Sequence, residues 1–431
     1  MITEIQLVNW KSFEKGKLHI DPLTVLIGTN ASGKSNALDA LALLNRIASG
    51  TMLTSALQGD NALAALRGGL EWAARKSKNR FTLGVICRPK DEWTEYEYKI
   101  ECHIRDKRCE VTSEQLVRTK YKQGRNEGKR IRIGTINLFK TDSCEATSPT
   151  ITARLYNEKK GAPKPLSRNH ALIYQLSALQ LRQEITGGIQ EVIKSMREIF
   201  ILDPIPSHMR AYTPLSDKLD SDARNIAGVI AALPPPKQRQ LVSTLSKYAR
   251  KLPERDIKRV YTGTVGSFKS DAMLYCTESW EHDGRRRHTV DARGMSDGTL
   301  RFLAILTALL TRPKGSLLIV EEVDNGLHPS RARLLLDMLR SVGVKNGIDI
   351  LVTTHNPSLL DTMGPEMVPF ITVAHRDAKN GHSILTLLED ISQLPKLLAV
   401  GSIGKLSSQG LIEKSLTDSV SSRNRRGQSN G

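Results

Sequence analysis

Residues 23–35 read LTVLIGTNASGKS. The apolar run 23–27 has the composition of a strand buried inside a parallel sheet. Residues 36–48 then place Leu38, Leu41, Leu44 and Ile47 at helical spacing. Strand, GxxxxGK[ST] and helix in that order are the context that makes the pattern a phosphate-binding loop. The glycines let the backbone curl so that successive N–H groups face phosphate oxygens, and the helix N-terminus adds partial positive charge there. Lys34 is expected to reach the β- and γ-phosphates, and the Ser35 hydroxyl to hold Mg²⁺. The plain alternative is a glycine-rich turn with no ligand; the flanking strand and helix count against it.

Three more stretches supply what such a site needs. Residues 317–322, LLIVEE, read as a buried strand with carboxylates only at its end, where ligands of a parallel sheet bind. Glu321 is placed to hold Mg²⁺ through its water shell, and Glu322 to polarise a water for in-line attack on the γ-phosphate. Paired acids could instead cap the next helix. A second strand, 350–354, ends in His355-Asn356-Pro357. A histidine there can hydrogen-bond the γ-phosphate or the attacking water, although a lone histidine is more often structural. Between the loop and these strands, GMSDGTLR at 294–301 opens an apolar helix. Ser and Gly at a helix N-terminus make an anion-binding nest, and alone they look like any N-cap.

The chain has 431 residues, 63 Lys and Arg against 45 Asp and Glu, and a net charge of +18. That excess favours a polyanionic partner such as DNA through counterion release; a basic, solvated surface is the bland reading. No run of apolar residues is long enough for a membrane span, no secretory signal opens the chain, and no membrane partner is expected. A cytoplasmic protein is expected. The five cysteines form no CxxC pair and read as free buried thiols; the spacing of Cys102, His103 and Cys109 is not a zinc pattern.

The rest of the chain suggests an N-terminal lobe over 1–164 with a β-rich part from 80 to 156, a helical insertion over 165–255, a C-terminal lobe over 256–411 and a flexible basic tail over 412–431. Helices are expected near 225–233 and 238–252, each ended by proline. Within the β-rich part, RTKYKQGRNEGKRIRIG at 118–134 carries Arg118, Lys120, Lys122, Arg125, Lys129, Arg130 and Arg132 against the single acid Glu127. It is either a mobile basic hairpin or a nucleic-acid contact. No heptad pattern persists, so no long coiled-coil arm is expected.

Taken together, these motifs resemble the ATP-binding-cassette ATPase head of the RecF/SMC-like group, and within it the AAA family ATPases related to OLD proteins. GTNASGKS corresponds to Walker A, GMSDGTLR to the signature loop, LLIVEEVDNGLHP to Walker B with the D-loop, and VTTHNP to the histidine switch. The opening MITEIQLVNWKSF, IFILDPIPSHMR at 199–210 and GSIGKLSSQGLI at 401–412 are similar to stretches of these ATPases as well. The resemblance implies an α/β P-loop NTPase head with an antiparallel β subdomain and a helical insertion. It puts Asn30, Gly33, Lys34, Ser35 and Asn36 on ATP, Lys11 beside it, and Mg²⁺ on Ser35 and Glu321. Glu322 and His355 are the implied catalytic residues. Family members bind two ATP at a head-to-head dimer interface, so Ser296 and Gly298 would complete the site of another subunit. Glu321 stands where the family often has Asp, and Gln175 and Gln180 are candidates for the Q-loop glutamine.

The stretch after His355 leaves no room for a nuclease core and carries no Toprim-like or HNH-like pattern. The expectation is therefore a stand-alone ATPase that controls a separate effector. Chains of this kind resemble the ATPase subunits of Septu-type and retron-linked anti-phage systems, which assemble with an HNH-type nuclease. The implied assembly is a homodimer or a higher oligomer of dimers. A RecF/SMC-like repair or maintenance ATPase without a toxic effector is the alternative. A transporter subunit fits the charge and the SDGTLR signature poorly.

Overall fold

The computed structural model describes all residues except 90, 92, 125–129, 157–160, 255, 280–287, 327, 392 and 417–431. The arginine run 285–287, expected to be a turn, residues 125–129 of the basic stretch and the last fifteen residues of the expected tail lie outside the described residues.

In chain order, β1 (Ile2–Trp10), β2 (Phe13–His19) and β3 (Leu23–Ile27) lead into α1 (Lys34–Ala48) and α2 (Leu53–Gln58). Six strands follow: β4 (Arg80–Cys87), β5 (Thr94–Arg105), β6 (Arg108–Gln123), β7 (Arg130–Thr141), β8 (Thr150–Leu155) and β9 (Ala162–Ser167). Next come α3 (Leu172–Ser177), α4 (Gln183–Arg197), β10 (Ile199–Leu202), β11 (Thr213–Pro214), α5 (Ile226–Ala232) and α6 (Pro235–Ala249). The C-terminal part holds β12 (Ile257–Val265), β13 (Asp271–Glu278), β14 (Thr289–Asp291), α7 (Asp297–Thr311), β15 (Leu317–Val320), α8 (Ala332–Asn346) and β16 (Asp349–Thr353). It closes with α9 (Pro357–Asp361), β17 (Ile371–Arg376), β18 (Ser383–Leu387), α10 (Leu394–Val400) and α11 (Ile403–Ser408).

Among the described residues one sheet of 14 strands runs β10-β15-β16-β3-β17-β18-β2-β1-β4-β5-β6-β7-β8-β9. Its first five strands are mutually parallel, and every residue of β3, β15 and β16 is buried. Such uniformly apolar strands need cover on both faces. One face carries α7, α8 and α9, the other α1, α3 and α4, which gives two separate cores. From β2 onward the sheet is an antiparallel meander. The two halves meet in the plane of the sheet at one residue pair, Ser383 of β18 with Phe13 of β2. A smaller sheet, β11-β13-β12 with β14 on β13, precedes α7.

The α/β P-loop head architecture expected from the motifs is present. Several boundaries differ for physical reasons. The stretch expected to be a helical insertion contributes β10 to the main sheet, parallel to β15; a four-residue IFIL run carries too little periodicity to separate strand from helix. Pro235 and Pro236 open α6 at its first positions, because a missing N–H costs nothing in the first helical turn; they do more than end α5. Residues 118–123 and 130–134 of the basic stretch belong to β6 and β7. Residues 412–416 continue a last helical segment, with Ile412 and Leu416 in the core, so this part of the expected tail is packed structure.

The meander is tied to α3 by a buried carboxylate. Glu114, fully buried, accepts backbone N–H groups of Leu172 and Ile173 at 2.7 Å and the Tyr98 hydroxyl at 3.0 Å. Burial pushes its pKa up to about 7, against those three donors. Since the folded state holds the proton more tightly than the unfolded chain, this contribution is full at low pH and lost as pH rises from about 4.5 to 7. The expected loss is about 3 kcal/mol across that window. Urea midpoints measured between pH 4.5 and 7.5 should fall with pH in the parent chain and flatten in Glu114→Gln.

Candidate nucleotide site

The loop after β3 is built on positive backbone angles, φ 141° at Gly28, 62° at Ala31 and 111° at Gly33. Two glycines are also required by space. A Cβ on Gly28 would lie 2.1 Å from the Ala374 carbonyl oxygen, and one on Gly33 would lie 2.4 Å from Ser383 Oγ. Arg376 braces the loop from β17, its Nε donating to the Ala31 carbonyl at 2.8 Å. Lys34 begins α1 and folds its ammonium into the curl, donating to the Gly28 and Thr29 carbonyls at 2.6 and 2.9 Å. Burial lowers its pKa, while the carboxylates of Glu322 and Glu413 oppose that shift. The structure therefore brings Glu322 into the electrostatic range of Lys34.

This cradle fits a triphosphate. The N-cap of α1 is Gly33, which supplies no side-chain cap, so the leading N–H groups of a fifteen-residue helix are available to an anion. The Ser32 hydroxyl is buried in the loop with no hydrogen-bond partner among the described residues. Asn30 is exposed at the loop tip and Ser35 half-buried at the first turn of α1. Asn36 is turned another way. Its side-chain amide donates to Ser12 Oγ at 2.7 Å, and its main-chain carbonyl accepts from Trp10 Nε1 at 2.7 Å.

The two acids follow β15, at the carboxyl end of the same parallel strands that deliver the loop. Val352 of β16 pairs with Val320 on one side and Val25 on the other, so the three strands end within two residues of one another. Glu322 has a left-handed backbone, φ 44°, a conformation that costs a non-glycine residue about 1–3 kcal/mol. Thr353 holds it there: its Oγ1 accepts Glu322 N–H at 2.8 Å, and its carbonyl accepts Val323 N–H at 3.0 Å. Glu321 is ion-paired with Arg67, whose Nε also reaches Asp39 at 3.3 Å. Among the described residues no three His, Cys, Asp or Glu side chains gather into a metal site. His355 is exposed just past β16, and Thr354 beside it donates to Asp324 at 2.6 Å.

Lys11 does not line the loop. Its ammonium is buried against Asp39 at 2.5 Å and donates to the Arg67 carbonyl at 2.6 Å; burial lowers its pKa, and Asp39 opposes that shift. Its reach is spent on a partner 28 residues away, which sequence spacing could not reveal. Gln175 is likewise committed, bonded through both amide atoms to Ser167 and His170 backbone groups, and Gln180 is exposed.

Ser296 caps the exposed N-terminus of α7, its Oγ accepting Thr299 N–H at 3.3 Å, and Gly298 is buried in the first turn. Arg210 fixes this turn, donating to the Met295 carbonyl and to Asp297 Oδ1, both at 2.8 Å. Among the described residues no hydrogen bond links Ser296 or Gly298 to residues 28–35. One chain thus presents two separate helix N-termini, that of α1 without a side-chain cap and that of α7 capped by Ser296.

Sequence reasoning missed Arg67 and Glu413. Arg67 sits in an irregular stretch without periodicity. Glu413 arrives because α11 docks on α9: Gly404 N–H donates to Asp361 at 2.7 Å, and a Cβ on Gly404 would lie 2.0 Å from the Pro357 carbonyl. No short-range pattern carries that placement.

A family model described as "AAA domain, putative AbiEii toxin, Type IV TA system" matches residues 23–361, from β3 to the end of α9. No curated protein matches the sequence. Among solved structures, an Smc head bound to the C-terminal winged-helix domain of ScpA is 13% identical, covering 89% of this chain and 96% of that one, with a TM-score of 0.47. An SMC head domain from Thermotoga maritima is 12% identical, covering 90% and 98%, with a TM-score of 0.40. An Smc head with an extended coiled coil bound to the C-terminal domain of ScpA, derived from Pyrococcus furiosus, is 12% identical, covering 92% and 99%, with a TM-score of 0.45.

Proposed function

This chain belongs to the AAA-domain family of the AbiEii type, and on that premise we propose that it is a DNA-associated switch ATPase. It dimerises head to head around ATP and controls a separate nuclease, of HNH type, in bacterial anti-phage defence. The observation that supports the reading is the pair of separate helix N-termini on one chain, with Lys34 and Glu322 at the first and the exposed Ser296 at the second.

On ATP binding, Lys34 exchanges the Gly28 and Thr29 carbonyls for β- and γ-phosphate oxygens, and the N–H groups of α1 take the remaining negative charge. Ser35 and Glu321 would hold Mg²⁺, which would supply charge neutralisation at the transferred phosphoryl group; Glu321 would have to part from Arg67 to do so. Glu322 accepts a proton from the attacking water as the bond between the γ-phosphorus and the bridging oxygen breaks, and His355 hydrogen-bonds the γ-phosphate. Ser296 and Gly298 of a second copy close over it.

The family description, with its toxin wording, favours a defence role over a repair ATPase without an effector. Two measurements test this. Ser296→Arg should abolish ATP-dependent dimerisation in analytical ultracentrifugation while ATP binding by the monomer persists, because the bulk falls on the face presented to the partner. Co-expression with the product of the neighbouring gene should yield a complex with a nuclease; a repair partner there, or none, sinks the defence reading.

A further inference from the structure

Residues 118–123 and 130–134 of the basic stretch form a ribbon that leaves the body of the sheet. Strand β5 accompanies β6 only as far as the Thr94–Lys120 pair, and β8 touches β7 only over 139–141. Beyond those points Tyr121, Lys122 and Gln123 pair with Arg132, Ile131 and Arg130 and with no other strand. Residues 119–123 and 130–136 contain four cations and no acid. Lys120, Lys122 and Arg132 are exposed and form no ion pair among the described residues. Arg118, at the base, is ion-paired with Glu184, so the uncompensated charge begins where the ribbon projects.

Charge on a free strand edge is a common guard against edge-to-edge pairing, but that role does not explain what accompanies it. Ile131 is 41% exposed, Ile133 56% and Trp93, beside Tyr121, 40%. A register shift between Lys120 and Tyr121 leaves Ile133 without a cross-strand partner, and such a bulge re-aims a side chain. The Arg130 guanidinium lies 4.3 Å from the centre of the Tyr121 ring, which stiffens the opposite face. An edge built only to repel would not display two isoleucines among lysines.

We propose that this ribbon is a duplex-DNA contact that enters the major groove, with Lys120, Lys122 and Arg132 on phosphates and Ile131 and Ile133 on base edges. Two strands about 4.8 Å apart, with their side chains, match a groove about 12 Å wide. Apolar side chains there meet the thymine methyl group. The inference rests on the DNA-associated reading above and names the form of DNA and the residues that touch it.

The test is fluorescence anisotropy of the full chain on a labelled A·T-rich duplex, the matching single strand, and the duplex with uracil replacing thymine, each over a salt series. The duplex is expected to bind more tightly than the single strand, and uracil replacement to weaken binding about tenfold. Replacing Lys120, Lys122 and Arg132 together with alanine should lower the salt slope by about 3, near one per phosphate contact. Ile131→Ser with Ile133→Ser should lose the thymine preference and keep the slope. Preference for the single strand, indifference to uracil, or a slope unchanged in the triple variant overturns the ribbon assignment while the DNA-associated reading stands. Failure of the parent chain to bind either form overturns both.

Discussion

Lys34→Ala is expected to weaken ATP binding by about 2–5 kcal/mol, roughly thirty- to several-thousand-fold in Kd. The ammonium sits inside the loop on the carbonyls of Gly28 and Thr29, so it enters the phosphate contact without a search through rotamers. Its removal takes away the lysine that faces the curl and leaves the glycine geometry of 28–33 untouched. Titration calorimetry with ATP and Mg²⁺ measures the effect, and the thermal midpoint of the variant without nucleotide checks that the fold survives. Affinity within twofold of the parent would move the nucleotide elsewhere and dissolve the site assignment.

Glu322→Gln is expected to lower ATP turnover by about 10²–10⁴, the range over which a positioned base contributes. The substitution preserves shape and backbone strain and removes only the charge and the proton acceptor. Binding should hold or tighten, since a negative group near the γ-phosphate is neutralised. The ATP-bound dimer should then accumulate, visible by light scattering after gel filtration. Single-turnover hydrolysis separates this from slow product release: the chemical step itself must slow. Unchanged turnover with a monomeric variant would remove both the base assignment and the head-to-head model.

Where the sequence was transparent, local backbone chemistry dictated the structure. The loop at 28–35 could be read because a strand with no charged residue, two glycines at positive φ and a helix start occur within a dozen positions. LLIVEE was legible for the same reason. The expected histidine position was reached as well, one strand over from the acids. What escaped notice depends on distant partners. Lys11 looked like a nucleotide contact until Asp39 claimed it, and Arg67 gave no hint of meeting Glu321, 254 residues on. Pro235 and Pro236 illustrate a different failure, since one residue type both ends and begins helices. The boundary at 412 fell early because Ile412 and Leu416 are spaced too sparsely to announce a packed turn.

The seam between the two halves of the main sheet lies against the phosphate loop. Ser383, half of the single pair that joins β18 to β2, is the residue a Cβ on Gly33 would strike, and its hydroxyl bonds Ser12 at 2.7 Å. In mechanical language, a turn about this seam would be felt at the phosphate loop and magnified along the meander. Four strand spacings separate β2 from β6, an arm of about 20 Å, so a 10° turn at the seam moves the ribbon's base by about 3 Å. Distances of that size decide whether a side chain touches a base edge or only the phosphate beside it.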